Sequence, residues 1–140
     1  MKTLALLIAF APLAFAAPVP MELKKSEAQR FEGRWWESGF DNTVYPDQDR
    51  ARRFAFDGQG GLTIADNATA VPNDYKLTLD PTTNPPSFAF ANIDGHVAFY
   101  GVYRLEADTL RFALTSTDKP RAKEAKPGAG LVFYELRRVK

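Results

Sequence analysis

The 140-residue sequence contains no cysteine, and this absence excludes several classes of protein at once. Disulfide bonds, thiolate catalysis and cysteine zinc sites all need that side chain. A lipoprotein anchor is excluded as well, because it needs a cysteine at the cleavage point. A chain of this length can bury one sizeable core, so we expect its stability to come from that core and not from cross-links.

Histidine is nearly absent too, since His96 is the only one, and it follows a predicted turn. A metal site or a general base would need a second group that the sequence does not place nearby. No Gly-x-Ser-x-Gly motif marks a nucleophile. The aspartates mostly fall at predicted turns, where they support the backbone, although folding could still bring two carboxylates together. The sequence therefore predicts no catalytic residue, no metal site and no cofactor, and we interpret the protein as a non-enzyme.

Neither sign of charge dominates, because 18 Lys and Arg residues stand against 17 Asp and Glu residues. A nucleic-acid-binding domain normally carries a basic face, so this balance argues against a nucleic-acid partner. Basic residues concentrate in one segment, KPRAKEAKPGAG at 119–130, which contains two prolines and shows no strand pattern. We predict an exposed loop there.

No long apolar run follows the first 16 residues. Residues 4–15 are apolar but too few to cross a membrane as a helix. They follow Lys2 and lead to the A-x-A site Ala14-Phe15-Ala16, which is the pattern of a cleaved signal peptide. We therefore predict a signal peptide at 1–16, a single domain at 17–140, no membrane span after cleavage, and a secreted or periplasmic location.

What the sequence does contain is alternation of apolar and polar residues with period two, interrupted by turn signals such as Asp94-Gly95. The alternating segments lie near residues 34–40, 54–56, 62–64, 75–79, 88–90, 97–105, 110–114 and 131–140. A short helix over 21–31, ended by Gly33, precedes them. The sequence predicts an all-β fold: an eight-stranded antiparallel meander closed, or nearly closed, into a barrel.

Aromatic side chains occupy the apolar faces of these strands. Such an interior predicts a packed core with at most a small aromatic cavity. We nominate as ligand-binding residues Phe56, Tyr75, Phe90, Phe99, Tyr103, Phe112 and Tyr134. Only the tyrosine hydroxyls are polar among the predicted inward positions, and we expect them to bond to one another, to backbone or to water. The expected ligand is therefore neutral and mostly apolar.

Both tryptophans lie in the stretch FEGRWW, directly after Gly33. Strand alternation places Trp35 inward and Trp36 outward. This Gly-x-Trp motif after a short helix resembles the opening of the lipocalin and calycin barrels. The resemblance implies that Trp35 closes one end of the barrel and that a basic residue near the last strand packs over it. Alternation along that strand nominates Arg138, with Arg137 as the rival, so the predicted closing set is Gly33, Trp35 and Arg138.

A longer ordered set of motifs covers most of 17–140: FEGRWW, FDGQGG, DYKLTLDPTTNPPSF, YGVYRLEADTLRFAL and the loop 119–130 before a last strand ending in Arg. In this order they resemble an uncharacterised lipocalin-like domain family of planctomycete secreted proteins. The matching positions are Tyr75, Leu77, Pro81, Gly101, Tyr103, Asp108, Leu110 and Pro120. Thr78 and the absence of a cysteine near Phe112 depart from the family pattern. The resemblance implies the barrel and export, and no activity.

We therefore expect an exported, monomeric, non-catalytic lipocalin-like domain that binds a small apolar molecule in a narrow aromatic-lined cavity. The alternative is a protein-interaction module or a barrel-type protease inhibitor. In that case an envelope or extracellular protein would contact the rim of the barrel and the 119–130 loop.

Overall fold

The structure is a computed structural model that describes residues 25–41, 43–44, 48 and 51–140. The predicted signal peptide and the first residues of the predicted helix lie outside this part of the chain. The described residues form α1 (Glu27–Phe31), β1 (Gly33–Phe40), β2 (Thr43–Val44), β3 (Arg53–Phe56), β4 (Gly61–Ala65), β5 (Asn73–Asp80), β6 (Ser87–Asn92), β7 (Val97–Glu106), β8 (Thr109–Ser116) and β9 (Val132–Arg138).

Eight of these strands close into an antiparallel barrel, which confirms the predicted fold class. From β3 to β9 each strand pairs with the next one in sequence, and β1 pairs with both β3 and β9. The closing β1–β9 ladder runs from Trp35 opposite Arg138 to Phe40 opposite Tyr134. β2 adds only a two-residue ladder to the end of β1.

The helix α1 is shorter than the sequence predicted, because its first turn is fixed by a capping box. The Ser26 hydroxyl accepts a hydrogen bond from the backbone N–H of Gln29, and the Gln29 side chain accepts one from the backbone N–H of Ser26. The helix therefore begins at Glu27 and ends at Phe31, one residue before its C-cap Glu32. No helix among the described residues is long and apolar enough to span a membrane.

The two ends of the barrel differ. At the closed end β1 begins, β9 finishes, and α1 packs across the interior with Phe31 fully buried. The Phe31 ring lies 5.5 Å from the Phe56 ring and 5.1 Å from the Tyr103 ring, centre to centre. At the open end β1, β4, β6 and β8 finish, and no helix among the described residues covers it. The main core fills the barrel from the closed end upward: Phe31, Trp35, Phe54, Phe56, Leu62, Leu77, Phe88, Phe90, Tyr103, Leu110, Phe112, Leu114 and Leu136.

The 119–130 loop folds back against the outer wall of the barrel. Ala122 is buried with Val102, Ala113 and Phe133, which face outward from β7, β8 and β9. The loop is largely exposed as predicted, but this apolar contact anchors it to the wall and not to the rim at the open end.

Gly101 in the middle of β7 marks a close approach of two backbones. A Cβ atom at this position would lie 2.1 Å from the carbonyl oxygen of Ala113 on β8. Only glycine fits there, which is the usual reason for a glycine inside a barrel strand.

Candidate ligand cavity at the open end

A cavity of about 300 Å³ opens at the open end of the barrel. Apolar side chains form most of its wall: Phe54, Ile64, Tyr75, Phe90, Phe99, Leu114, Val132 and Tyr134. Three further polar side chains complete the lining: Arg52, Asp66 and Asn73. Ligand pockets in proteins usually measure about 300–1,000 Å³ and combine apolar walls with a few placed polar groups. This cavity has both features at the lower end of that size range.

Strand register brings the lining residues together. Inward positions lie opposite each other on neighbouring strands, as in the pairs Phe54 with Ile64 and Leu114 with Val132. The alternation that the sequence showed therefore decides which side chains face the interior. Their height along the barrel decides whether they line the cavity or belong to the packed core below it.

The seven predicted ligand-binding residues divide into two groups. Tyr75, Phe90, Phe99 and Tyr134 line the cavity. Phe56, Tyr103 and Phe112 are buried in the core nearer the closed end and are not among its lining residues. Alternation assigns a residue to a face but not to a height, so the sequence alone could not separate these two groups.

Arg52 introduces a charge that the sequence interpretation did not anticipate. It immediately precedes β3, and its Nη1 donates a hydrogen bond of 2.7 Å to the hydroxyl of Tyr134. Its guanidinium carbon lies 5.7 Å from the centre of the Tyr134 ring and 5.9 Å from that of Phe40. The expectation of an interior whose only polar groups are tyrosine hydroxyls is therefore wrong. Strand alternation assigns no face to a residue just outside a strand, so this pattern could not find Arg52.

Glu37 is a second polar residue that the sequence interpretation missed. It lies on β1 two positions after the inward-facing Trp35 and is only 5% exposed. The backbone N–H of Arg52 donates to Glu37 Oε2 at 3.4 Å. Burial raises the pKa of the Glu37 carboxyl, and the nearby charge of Arg52 opposes this rise only in part. Extending the alternation from Trp35 by two residues was a signal that could have found Glu37.

Two of the three predicted inward tyrosine hydroxyls, those of Tyr103 and Tyr134, bond to charged side chains, which corrects their predicted partners. Tyr134 accepts from Arg52, and burial is the main cause that raises its pKa. Tyr103 donates to Glu27 Oε1 at 2.8 Å. Burial and this carboxylate together hold the pKa of Tyr103 well above its usual value. Both hydroxyls are therefore neutral near pH 7.

The closed end contains the predicted stacking of a basic residue on the tryptophan. The guanidinium carbon of Arg138 lies 4.2 Å from the centre of the Trp35 ring, and Trp35 is fully buried. Arg137, the rival, points outward: its side chain is 60% exposed and lies 3.8 Å from a carboxylate oxygen of Glu135. Gly33 completes the set, because a Cβ atom there would lie 3.0 Å from Arg138 Nη1 and because its φ of +124° is unfavourable for other residues.

The same two side chains hold the helix in place, an arrangement that strand alternation does not predict. Trp35 Nε1 donates to the Phe31 carbonyl at 2.8 Å. Arg138 donates to the carbonyls of Arg30 and Glu32. These carbonyls belong to the end of α1 and its C-cap, where no further turn of helix can pair with them. At the closed end, Trp35 and Arg138 are thus hydrogen-bonded to the end of the helix, and we interpret this end as a structural site.

In the described part of the chain, no three His, Cys, Asp or Glu side chains lie close enough to hold a metal ion. His96 has an 85% exposed side chain at the β6–β7 turn, 3.3 Å from Asp94. The cavity at the open end is the candidate functional site because inward-facing side chains of the barrel form most of its wall.

Comparison with models of known protein families, with curated proteins and with solved structures finds no match for this chain. The resemblance to the planctomycete lipocalin-like family stays a prediction. The class that the structure itself defines is a closed eight-stranded antiparallel barrel with a small cavity at one end.

Proposed function

We propose that the protein binds a small, mostly apolar molecule in the cavity at the open end, as an exported, non-catalytic and monomeric domain. The observation that carries the proposal is the cavity itself, whose aromatic walls surround a space for one small ligand. At the other end of the barrel the core is packed around Phe31 of α1.

The exposure of Phe99 supports this use of the cavity. Its ring lines the wall, yet the residue is 39% exposed. Covering apolar surface is favourable by about 25 cal/mol per Å². A ligand with an apolar body would therefore gain free energy by packing on Phe99 and its neighbour across the β6–β7 ladder, Phe90.

Stability measurements with neutral aromatic probes, fatty alcohols and retinoids test the proposal. A ligand that binds only the folded state stabilises it by about 2.7 kcal/mol when its concentration is 100 times Kd. We expect at least one probe class to raise the free energy of unfolding in a concentration-dependent way. If no class changes it, the cavity is not a binding site for such ligands.

Two matched variants separate cavity binding from binding elsewhere. Val132→Trp places a large ring at a lining position, and Val71→Trp places the same ring on an exposed loop outside the lining. We expect Val132→Trp to abolish the stabilisation and Val71→Trp to keep it. Equal responses of the two variants would contradict binding in the cavity.

Protein binding through the rim is the second candidate, because the exposed apolar residues cluster there. The exposed large apolar side chains of the described residues are Val44, Val71, Ile93, Val97 and Phe99. All five belong to segments at the open end of the barrel. The 119–130 loop lies on the outer wall instead, so we favour the rim over the loop as the protein-binding surface. Capture of a partner by the wild type but not by Ile93→Ser and Val97→Ser would favour it.

A further inference from the structure

We infer that the cavity is an anion site and that its ligand is a small apolar carboxylic acid, with the carboxylate paired to Arg52. This inference rests on the proposed ligand binding and adds the chemical class of the ligand.

Arg52 is fixed across the mouth of the cavity by three contacts. Its Nη1 donates to Tyr134, and its guanidinium lies near the rings of Tyr134 and Phe40. Its main chain is fixed too, because the Glu37 N–H donates to the Arg52 carbonyl at 3.0 Å. A guanidinium that is already positioned loses little freedom on binding a carboxylate, and its planar fork matches the two oxygens.

Most donors of Arg52 have no partner within the part of the chain that the structure describes, and a ligand could use them. A guanidinium carries five N–H donors. Among the residues that the structure describes, one is used by Tyr134, and Nε lies 3.5 Å from Asp66 Oδ1. The Asp66 side chain is 80% exposed, and an exposed pair of this kind contributes little free energy. A ligand carboxylate buried against the aromatic wall can therefore displace Asp66 from Arg52.

The remaining polar groups at the mouth fit an anion better than a cation. Asn73 and Tyr75, at the start of β5, line the same cavity and can donate to a second carboxylate oxygen. Glu37 is a buried carboxyl close to Arg52, and burial raises its pKa, which weakens its competition with a ligand carboxylate for the guanidinium. A cationic ligand would meet the fixed guanidinium, and a purely apolar one would cover those of its donors that neither Tyr134 nor Asp66 engages.

Isothermal titration with three probes of the same shape tests the inference: naphthoate, naphthamide and naphthylmethylamine, substituted at the same ring carbon. We expect wild-type protein to bind naphthoate about tenfold more tightly than naphthamide, because a hydrogen bond to a charged group is stronger than a neutral one. The amine should bind most weakly. Equal or tighter binding of the amide overturns the anion site but leaves ligand binding intact, whereas no binding of any probe overturns both.

Three variants assign the preference to Arg52. Arg52→Gln should bind naphthoate and naphthamide equally, whereas Arg34→Gln, on the outer face of β1, should keep the wild-type preference. Asp66→Asn removes the competing carboxylate from an exposed position, so the preference for naphthoate over naphthamide should be kept or increased. This last variant keeps the test decisive even if Arg52→Gln lowers stability. A preference that survives Arg52→Gln, or one that is lost in Asp66→Asn, overturns the inference.

Discussion

Each end of the barrel sets an arginine beside an aromatic ring, and the two arginines are used differently. At the closed end Arg138 stacks on Trp35 at 4.2 Å and donates to carbonyls at the end of α1. At the open end Arg52 lies 5.7 Å from the Tyr134 ring, and its main hydrogen bond goes to one hydroxyl. The first arginine completes the fold, whereas the second has donors for which the described residues supply no partner.

The difference follows from the short helix. α1 delivers backbone carbonyls to the closed end, and buried carbonyls must be paired. Trp35 and Arg138 supply the donors, so aromatic ring, guanidinium and helix form one packed unit. The described residues put no such element over the open end. Its aromatic rings therefore border a cavity, and Phe99 stays partly exposed.

The largest expected effect is the loss of the ring at the closed end. Trp35→Ala should lower the free energy of unfolding by about 3–5 kcal/mol, because it leaves a cavity in the core. It also leaves the Phe31 carbonyl without its donor. Trp36→Ala, at the neighbouring outward position, should cost much less, since Trp36 is only partly buried. Urea unfolding of both variants makes the comparison.

Equal destabilisation by the two tryptophan variants would contradict the assignment of Trp35 to the closed end. The two substitutions remove the same side chain from adjacent residues of β1. They differ only in the face of the strand, so each is the matched control for the other.

A smaller effect is expected from the two arginines, and it sharpens the contrast between the ends. Arg138→Ala should cost about 1–3 kcal/mol, since it removes the stacking on Trp35 and unpairs carbonyls of α1. Arg52→Ala should cost less, because its side chain is 39% exposed and its carboxylate partner Asp66 more so. Urea unfolding with Arg137→Ala as an exposed control measures both. A larger loss for Arg52→Ala than for Arg138→Ala would show that the open end is the structural one.

The barrel was predictable because its determinants are local and periodic. Alternating apolar residues and turn signals fixed eight strands, and the structure has these eight in the predicted order. The closing contact could also be predicted, because counting by two from Tyr134 reaches Arg138. Among the described residues, the two-residue β2 is the one strand that had no signal of this kind in the sequence.

The cavity was only partly predictable because it depends on height in the barrel and on residues beside the strands. Tyr75 and Phe112 share the same inward pattern, yet only Tyr75 lines the cavity. Arg52 lies just outside β3, so the strand pattern says nothing about its direction. Glu37 follows the pattern, but a carboxylate at an inward position conflicts with the apolar core that the pattern predicts. From composition alone, a glutamate is expected on the surface of the protein. The buried position of Glu37 can be explained only by its neighbour Arg52.

The smallest effect is expected from Glu37→Gln, and its size depends on pH. Burial raises the pKa of Glu37 above its ordinary value of 4.5, so the folded state holds this proton more tightly than the unfolded state does. Stability from the neutral carboxyl is present below pH 4.5 and is lost as pH rises through the raised pKa. Glutamine cannot ionise, so the variant should gain stability relative to the wild type across that window.

Urea unfolding of wild type and Glu37→Gln between pH 4 and pH 8 checks this sign, because groups common to both proteins cancel in the difference. The charge of Arg52 opposes the rise in the Glu37 pKa, so the same pair of proteins in an Arg52→Gln background should show a steeper pH dependence. If the Glu37→Gln variant instead loses stability relative to the wild type as pH rises, attraction to Arg52 outweighs burial. Glu37 and Arg52 would then form an ion pair that neutralises the arginine. The Glu37 carboxylate would then take the place that we propose for the ligand carboxylate. Arg52 would be engaged within the protein as Arg138 is, and the proposed difference between the two ends would fail.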